Sequence, residues 1–128
     1  MKRNGLNCAE TILQVANNEL KLGLDKNALL LAAGFGGGMA IENVCGALTG
    51  SIMVLGRLYV KERAHEGTRR IRDVEKKLIA AFEKEFGTLL CKPIKDKLFH
   101  PDDKCKAVVV KTARLLDELL ASDPPEAG

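Results

Sequence analysis

Apolar residues recur along this chain at helical spacing, and the breaks in that spacing divide it into segments. Ala9, Ile12, Leu13, Ala16 and Leu20 follow the i, i+3, i+4 rule and predict a first amphipathic helix. Asn7-Cys8-Ala9-Glu10 opens it as a capping box, and Gly23 is placed to close it in the left-handed conformation. Asp25 caps a second, shorter helix through residues 28–33, apolar nearly all round and therefore expected to be buried; Gly34 stops it.

A third helix is expected over residues 44–66, capped by Asn43, with Ile52, Met53, Leu55, Leu58 and Tyr59 as core. After a break at Gly67-Thr68, a fourth sets Ile71, Val74, Leu78, Ala81, Phe82 and Phe86 on one face against Arg, Lys and Glu on the other, and Gly87 ends it. Residues 88–93 read as an irregular connection with room for one short helical turn. The last helix, capped by Asp102 or Asp103, presents Val108, Val109, Thr112, Leu115, Leu116 and Leu119.

No strand pattern of useful length interrupts this series. The pattern predicts an all-α fold: a single-domain bundle of four main helices plus one short buried helix, with a glycine-rich loop before the third helix. The domain spans residues 1–121, and residues 122–128, with two prolines, are expected to form a flexible tail.

Composition keeps the chain among globular proteins. It has 46% hydrophobic and 29% charged residues, and 128 residues suffice for one core without cross-links. Met1-Lys2-Arg3 is not followed by an apolar signal region, and no run of about 18 apolar residues exists to enter a membrane. A cytoplasmic location is the default expectation. The net charge of +3 is mild and the aromatic content of 4% leaves little surface for base stacking, so nucleic-acid binding finds no support. The lysine-rich segment 92–106 suits an acidic protein partner or a bound anion.

The stretch 34–50 departs from ordinary helical sequence. Gly34, Gly36, Gly37, Gly38, Gly46 and Gly50 are half of the chain's 12 glycines, a density that asks for positive φ or for close approach of another group. Gly46, Ala47 and Gly50 leave a bare groove along the third helix, where another backbone or a bulky ligand would lie. Such bare faces also leave a homodimer open.

The chain has 4 cysteines, at positions 8, 45, 91 and 105, without a CxxC pair. Cys8, Cys45 and Cys105 are each predicted in the first turn of a helix, where free amides and the helix dipole lower a thiol pKa and favour an anion. Thiolates converging on such ends could bind iron and sulfide. Three other readings stay open: buried small hydrophobes, a structural zinc site, and a redox disulfide such as Cys91 with Cys105 beside Lys92, Lys104 and Lys106. His65 and His100 lack ligand spacing and read as surface residues, although His100 is near enough to Cys105 to be a fourth ligand. Glu10, Glu42 and Asn43 read as capping and loop residues rather than acid–base groups.

Together, Asn7-Cys8-Ala9-Glu10, the Gly34-Phe35-Gly36-Gly37-Gly38 loop, Cys45-Gly46-Ala47-Leu48-Thr49-Gly50, Cys91 after Phe86-Gly87 and Cys105 carry a family likeness. From Asn7 to about Leu120 the chain resembles the redox-active protein family known by its C_GCAxxG_C_C signature. The resemblance implies a small helical protein whose cysteines bind a prosthetic group, an iron–sulfur centre, in association with oxidoreductases or transporters. By position, Cys8, Cys45, Cys91 and Cys105 carry over as the cluster or redox residues. Cys91 is the least motif-like, and if only three cysteines bind metal it is the one expected to stand aside or exchange.

The expectation is therefore an iron–sulfur protein, an electron carrier or accessory rather than a stand-alone enzyme, that exchanges electrons with a partner oxidoreductase. Gly34, Gly36, Gly37, Gly38, Gly46 and Gly50 would form the wall of the cofactor site. A metal-free thiol–disulfide protein and a structural zinc module are the alternatives.

Overall fold

The computed structural model of the chain describes residues 5–60, 64–99 and 105–125. His100, Asp102, Asp103 and Lys104 lie outside them, as does the side chain of His65. Six α-helices are found among the described residues: α1 (Cys8–Leu20), α2 (Lys26–Leu30), α3 (Gly46–Tyr59), α4 (Ala64–Phe86), α5 (Cys91–Leu98) and α6 (Lys106–Ser122). The fold is all-α. Its one described β-type pairing is an isolated antiparallel bridge between Val44 and Leu90.

Helix α1 starts as its sequence dictates. The Asn7 side chain accepts from the Glu10 amide at 3.0 Å, and the Glu10 carboxylate accepts from the Asn7 amide at 3.0 Å. It closes at Lys21, with φ 53°, rather than at Gly23. Asn17 binds both backbone groups of Leu24, and Arg57 Nε donates to the Leu22 carbonyl at 3.0 Å, so side chains fix the turn before the glycine is reached.

Helix α2 is capped by Asp25, which accepts from the Ala28 amide at 2.8 Å, but none of its residues is buried. Leu30 and Leu31 are 52% and 74% exposed. A helix of one and a half turns brings only part of its surface to the core; here Leu29 packs in partway and Ala32, just beyond, is fully buried.

The third and fourth helices divide elsewhere than expected. The chain leaves the α3 helix at Val60, with φ −116° and ψ 123°, while α4 runs through Gly67 and Thr68 without a break. One helical glycine costs about 1 kcal/mol. Burial of Val74, Leu78 and Phe82 on α4, each 0% exposed, outweighs that cost.

Helices α1 and α3 cross closely. A Cβ at Gly50 would stand 2.3 Å from Ile12 Cγ2 and 2.7 Å from the Ala9 carbonyl, so α1 of the same chain fills this part of the bare groove. The groove is thus not a face offered to a second copy. Leu48, Val54 and Leu55 of α3 and Val108 and Leu116 of α6 complete the core around α4. The buried hydroxyls of Ser51 and Thr112 donate to the carbonyls four residues earlier, both at 2.7 Å, which removes the cost of burying them.

The segment after α6 is held rather than loose. Tyr59 Oη donates to the Asp123 carbonyl at 2.5 Å, and the Asp123 carboxylate meets Arg70 at 2.7 Å and Lys77 at 2.8 Å. Arg70 also donates to the Pro124 carbonyl. These ties involve Asp123 and Pro124; of the expected tail, residues 126–128 lie outside the described residues. Among the described residues, no helix is long and apolar enough to cross a membrane.

Candidate functional site

All four cysteines stand at helix N-termini. Cys8 and Cys91 are the first residues of α1 and α5, and Cys45 and Cys105 are the N-caps of α3 and α6. Sequence reasoning placed three of them there and left Cys91 in a connection. That stretch is a helix of eight residues because Pro93 falls in its first turn, where amides have no intrahelical partner. A proline at the third helical position was the signal available in the sequence.

The four ends converge. Cys8 and Ile12 of α1 pack in one cluster with Val109 in the first turn of α6, whose amide donates to the Cys105 carbonyl at 3.1 Å, so the starts of α1 and α6 adjoin. A Cβ at Gly46, next to Cys45, would stand 2.4 Å from the Cys8 sulfur. Asn43 does not cap α3; its carbonyl accepts from the Cys91 amide, and the Cys45 amide donates to the Leu89 carbonyl at 2.8 Å. These two bonds flank the Val44–Leu90 bridge and fasten the starts of α3 and α5 side by side. Because Asn43 spends its backbone on this bridge, α3 begins three residues later, at Gly46.

The cysteines feel one another's charge: Cys8 and Cys105 raise the Cys91 thiol, and Cys8 and Cys91 raise that of Cys45.

The glycine loop lies against the same residues. From Gly37 the backbone runs left-handed, with φ 64° at Gly37 and 61° at Gly38, and it continues through Met39 at 61° and Ala40 at 66°; Glu42 adopts 57°. Residues with a Cβ pay about 1–2 kcal/mol each for this conformation. A Cβ at Gly38 would stand 2.8 Å from Cys91 Cβ and 2.4 Å from the Asn43 amide nitrogen. One at Gly36 would strike the Asn7 side chain at 2.3 Å, and Asn7 Nδ2 donates to the Ala33 carbonyl at 2.8 Å. Gly34 and Gly37 have no such neighbour. Of the six glycines, Gly38 and Gly46 touch cysteines, Gly36 touches the residue that caps the Cys8 helix, and Gly50 serves the α1–α3 crossing.

Burial, not the helix dipole, decides the thiol chemistry. Cys8, Cys45 and Cys91 are 7%, 5% and 7% exposed, and Cys105 is half-buried. Desolvation pushes Cys45 up to about 12 from an ordinary 9.0. The Ala47 and Leu48 amides lie toward its sulfur and pull the other way, but they fall short of a capping hydrogen bond and do not win. Cys91 is likewise raised by burial and by Cys8 and Cys105, with Lys95 opposing. The lowering of thiol pKa expected at helix ends is thus reversed at Cys45.

A thiol binds a metal as thiolate, so a bound cation would displace the protons of these thiols to solvent. Among the described residues, no three of His, Cys, Asp and Glu are grouped so as to hold a metal ion.

The model of one protein family matches residues 6–119, a family described as "Putative redox-active protein (C_GCAxxG_C_C)". No curated protein and no solved structure matches the chain. With its four cysteines in order at four helix ends and the match extending over nearly its whole length, the chain belongs to the C_GCAxxG_C_C family of redox-active proteins.

Proposed function

We propose that Cys8, Cys45, Cys91 and Cys105 hold an iron–sulfur cluster and that the protein passes electrons through it to or from a partner oxidoreductase. The observation that carries this reading is the meeting of the four cysteines at helix N-termini, three of them almost excluded from water. The bound cluster would supply one-electron chemistry that the side chains alone lack. The chain's own part is to present four sulfurs, exclude water and aim helix-end amides at an anionic centre. Gly38 and Gly46 keep side chains out of the space beside Cys91 and Cys8.

Structural zinc sites more often carry at least one closely spaced CxxC pair, and this chain has none, which favours a cluster over zinc. A metal-free thiol–disulfide couple needs a ready thiolate, and the raised pKa values of Cys45 and Cys91 work against one. A reducing cytoplasm suits cysteines kept for metal.

Protein purified after anaerobic expression should contain iron and acid-labile sulfide, and Cys45→Ser should lose both. If neither is present and chemical reconstitution also fails, the reading is lost. Stoichiometric zinc without redox activity would replace it by the structural alternative.

A further inference from the structure

We propose that the surface made by the left-handed turn over residues 39–42 and helix α5 is the docking site for an acidic redox protein. Only the redox character of the partner rests on the reading given above.

Two features of this surface are unfavourable in the protein alone. Met39, Ala40 and Glu42 hold positive φ although each carries a Cβ, and the turn they build lifts Ile41 to 72% exposure. Met39, Leu90 and Phe99 are also exposed, at 40%, 42% and 41%. Strain that displays an apolar side chain, instead of burying it, is accounted for when a second molecule covers that side chain.

The pieces form one continuous surface. Glu42 pairs with Lys95 at 3.3 Å, Lys95 Nζ lies 5.9 Å from the Phe99 ring centre, and Leu90 is bridged to Val44 just after the turn. Directly beneath is Cys91, against which Gly38 packs with no side chain between. A partner seated here stands over Cys91.

Charge selects the partner. Helix α5 carries Lys92, Lys95 and Lys97 against two carboxylates, its own Asp96 and Glu42 of the turn. Both ion pairs here, Lys92–Asp96 and Lys95–Glu42, are open to water on each side and hold weakly, so a partner's carboxylates can take their place. An apolar centre with a lysine rim fits a transient complex steered by opposite charge. The other exposed apolar pair, Leu30 and Leu31, adjoins neither α5 nor a cysteine in sequence and carries no such argument.

The test is in-cell photo-crosslinking in the native host, with a photoreactive residue at position 41, at position 97 or, as control, at position 110 on α6. The expected result is one acidic protein bearing a flavin, haem or cluster, captured from 41 and 97 but not from 110. In the K92E/K97E variant the adduct yield should fall on the order of tenfold. A second copy of this chain, a basic protein, no adduct, or equal capture from 110 would each overturn the proposal. Iron content read on the same preparations separates the outcomes: capture of the acidic redox protein without iron leaves the surface standing and removes the cluster.

Discussion

The Cys8 sulfur lies so close to Gly46 that a Cβ at position 46 would stand 2.4 Å away, with the Phe35 carbonyl at 3.0 Å on another side. Gly46→Ala should therefore destabilise the protein by about 1–3 kcal/mol, as overpacking does, and also displace Cys8. Gly50→Ala, blocked by Ile12 and the Ala9 backbone, should cost a similar amount and leave the cysteines in place. Gly34→Ala meets nothing within 4 Å and should be neutral or slightly stabilising. Urea midpoints of the three variants, read beside iron content, check this order.

Cys45 gives a pH signature to the metal-free protein. Its folded pKa stands at about 12 against an ordinary 9.0, so the unfolded chain releases this proton first as pH rises. The contribution of the buried thiol is complete below about pH 9 and declines toward pH 12, by up to about 1.4 kcal/mol per unit. Unfolding midpoints of parent and Cys45→Ala should converge between pH 9 and 11. A difference that stays constant over that range would refute the assignment.

Asp123 gives a signature of opposite sign. Lys77, the first cause, and Arg70 hold its carboxyl below the ordinary 3.8, so the ties from this carboxylate are complete above that value and disappear as pH falls through the lowered pKa. Asp123→Asn should lower the melting temperature at neutral pH and have a shrinking effect toward pH 3. Tyr59→Phe, which removes the bond to the Asp123 carbonyl, should cost about 0.5–1.5 kcal/mol at any pH below tyrosine ionisation.

Ala40, at φ 66°, sits where glycine is at ease. Ala40→Gly should stabilise the fold by about 0.5–1 kcal/mol, the relief of strain less the added entropy of the unfolded chain. A melting temperature unchanged or lowered would show that the turn is not strained in solution.

Local chemistry was legible in the sequence where one segment decides its own structure. Asn7 with Glu10, Asp25 with Ala28, and the apolar stripe from Ile71 to Phe86 are such cases, and the structure has them. The misread positions depend on distant partners. Asn43 looks like a helix cap, yet its carbonyl belongs to Cys91, 48 positions later in the chain. Val60 carries no breaker signal, and Gly67 carries one that α4 overrides. The shared helix-end position could be suspected for three cysteines from their capped positions, but that Cys91 also opens a helix could not be read from periodicity.

The bridge between Val44 and Leu90 also bears on how the protein matures. It joins segments that the whole of α3 and the whole of α4 separate, and Cys8 and Cys105 come from near the two ends of the chain. Closing this loop costs entropy that the packing of α3 and α4 has to offset, and every pairing among the four cysteines spans a long stretch of chain or a helix boundary. A prosthetic group bound by all four would add its binding energy to the stability of the whole molecule, and a chain that loses it would become easier to unfold from end to end.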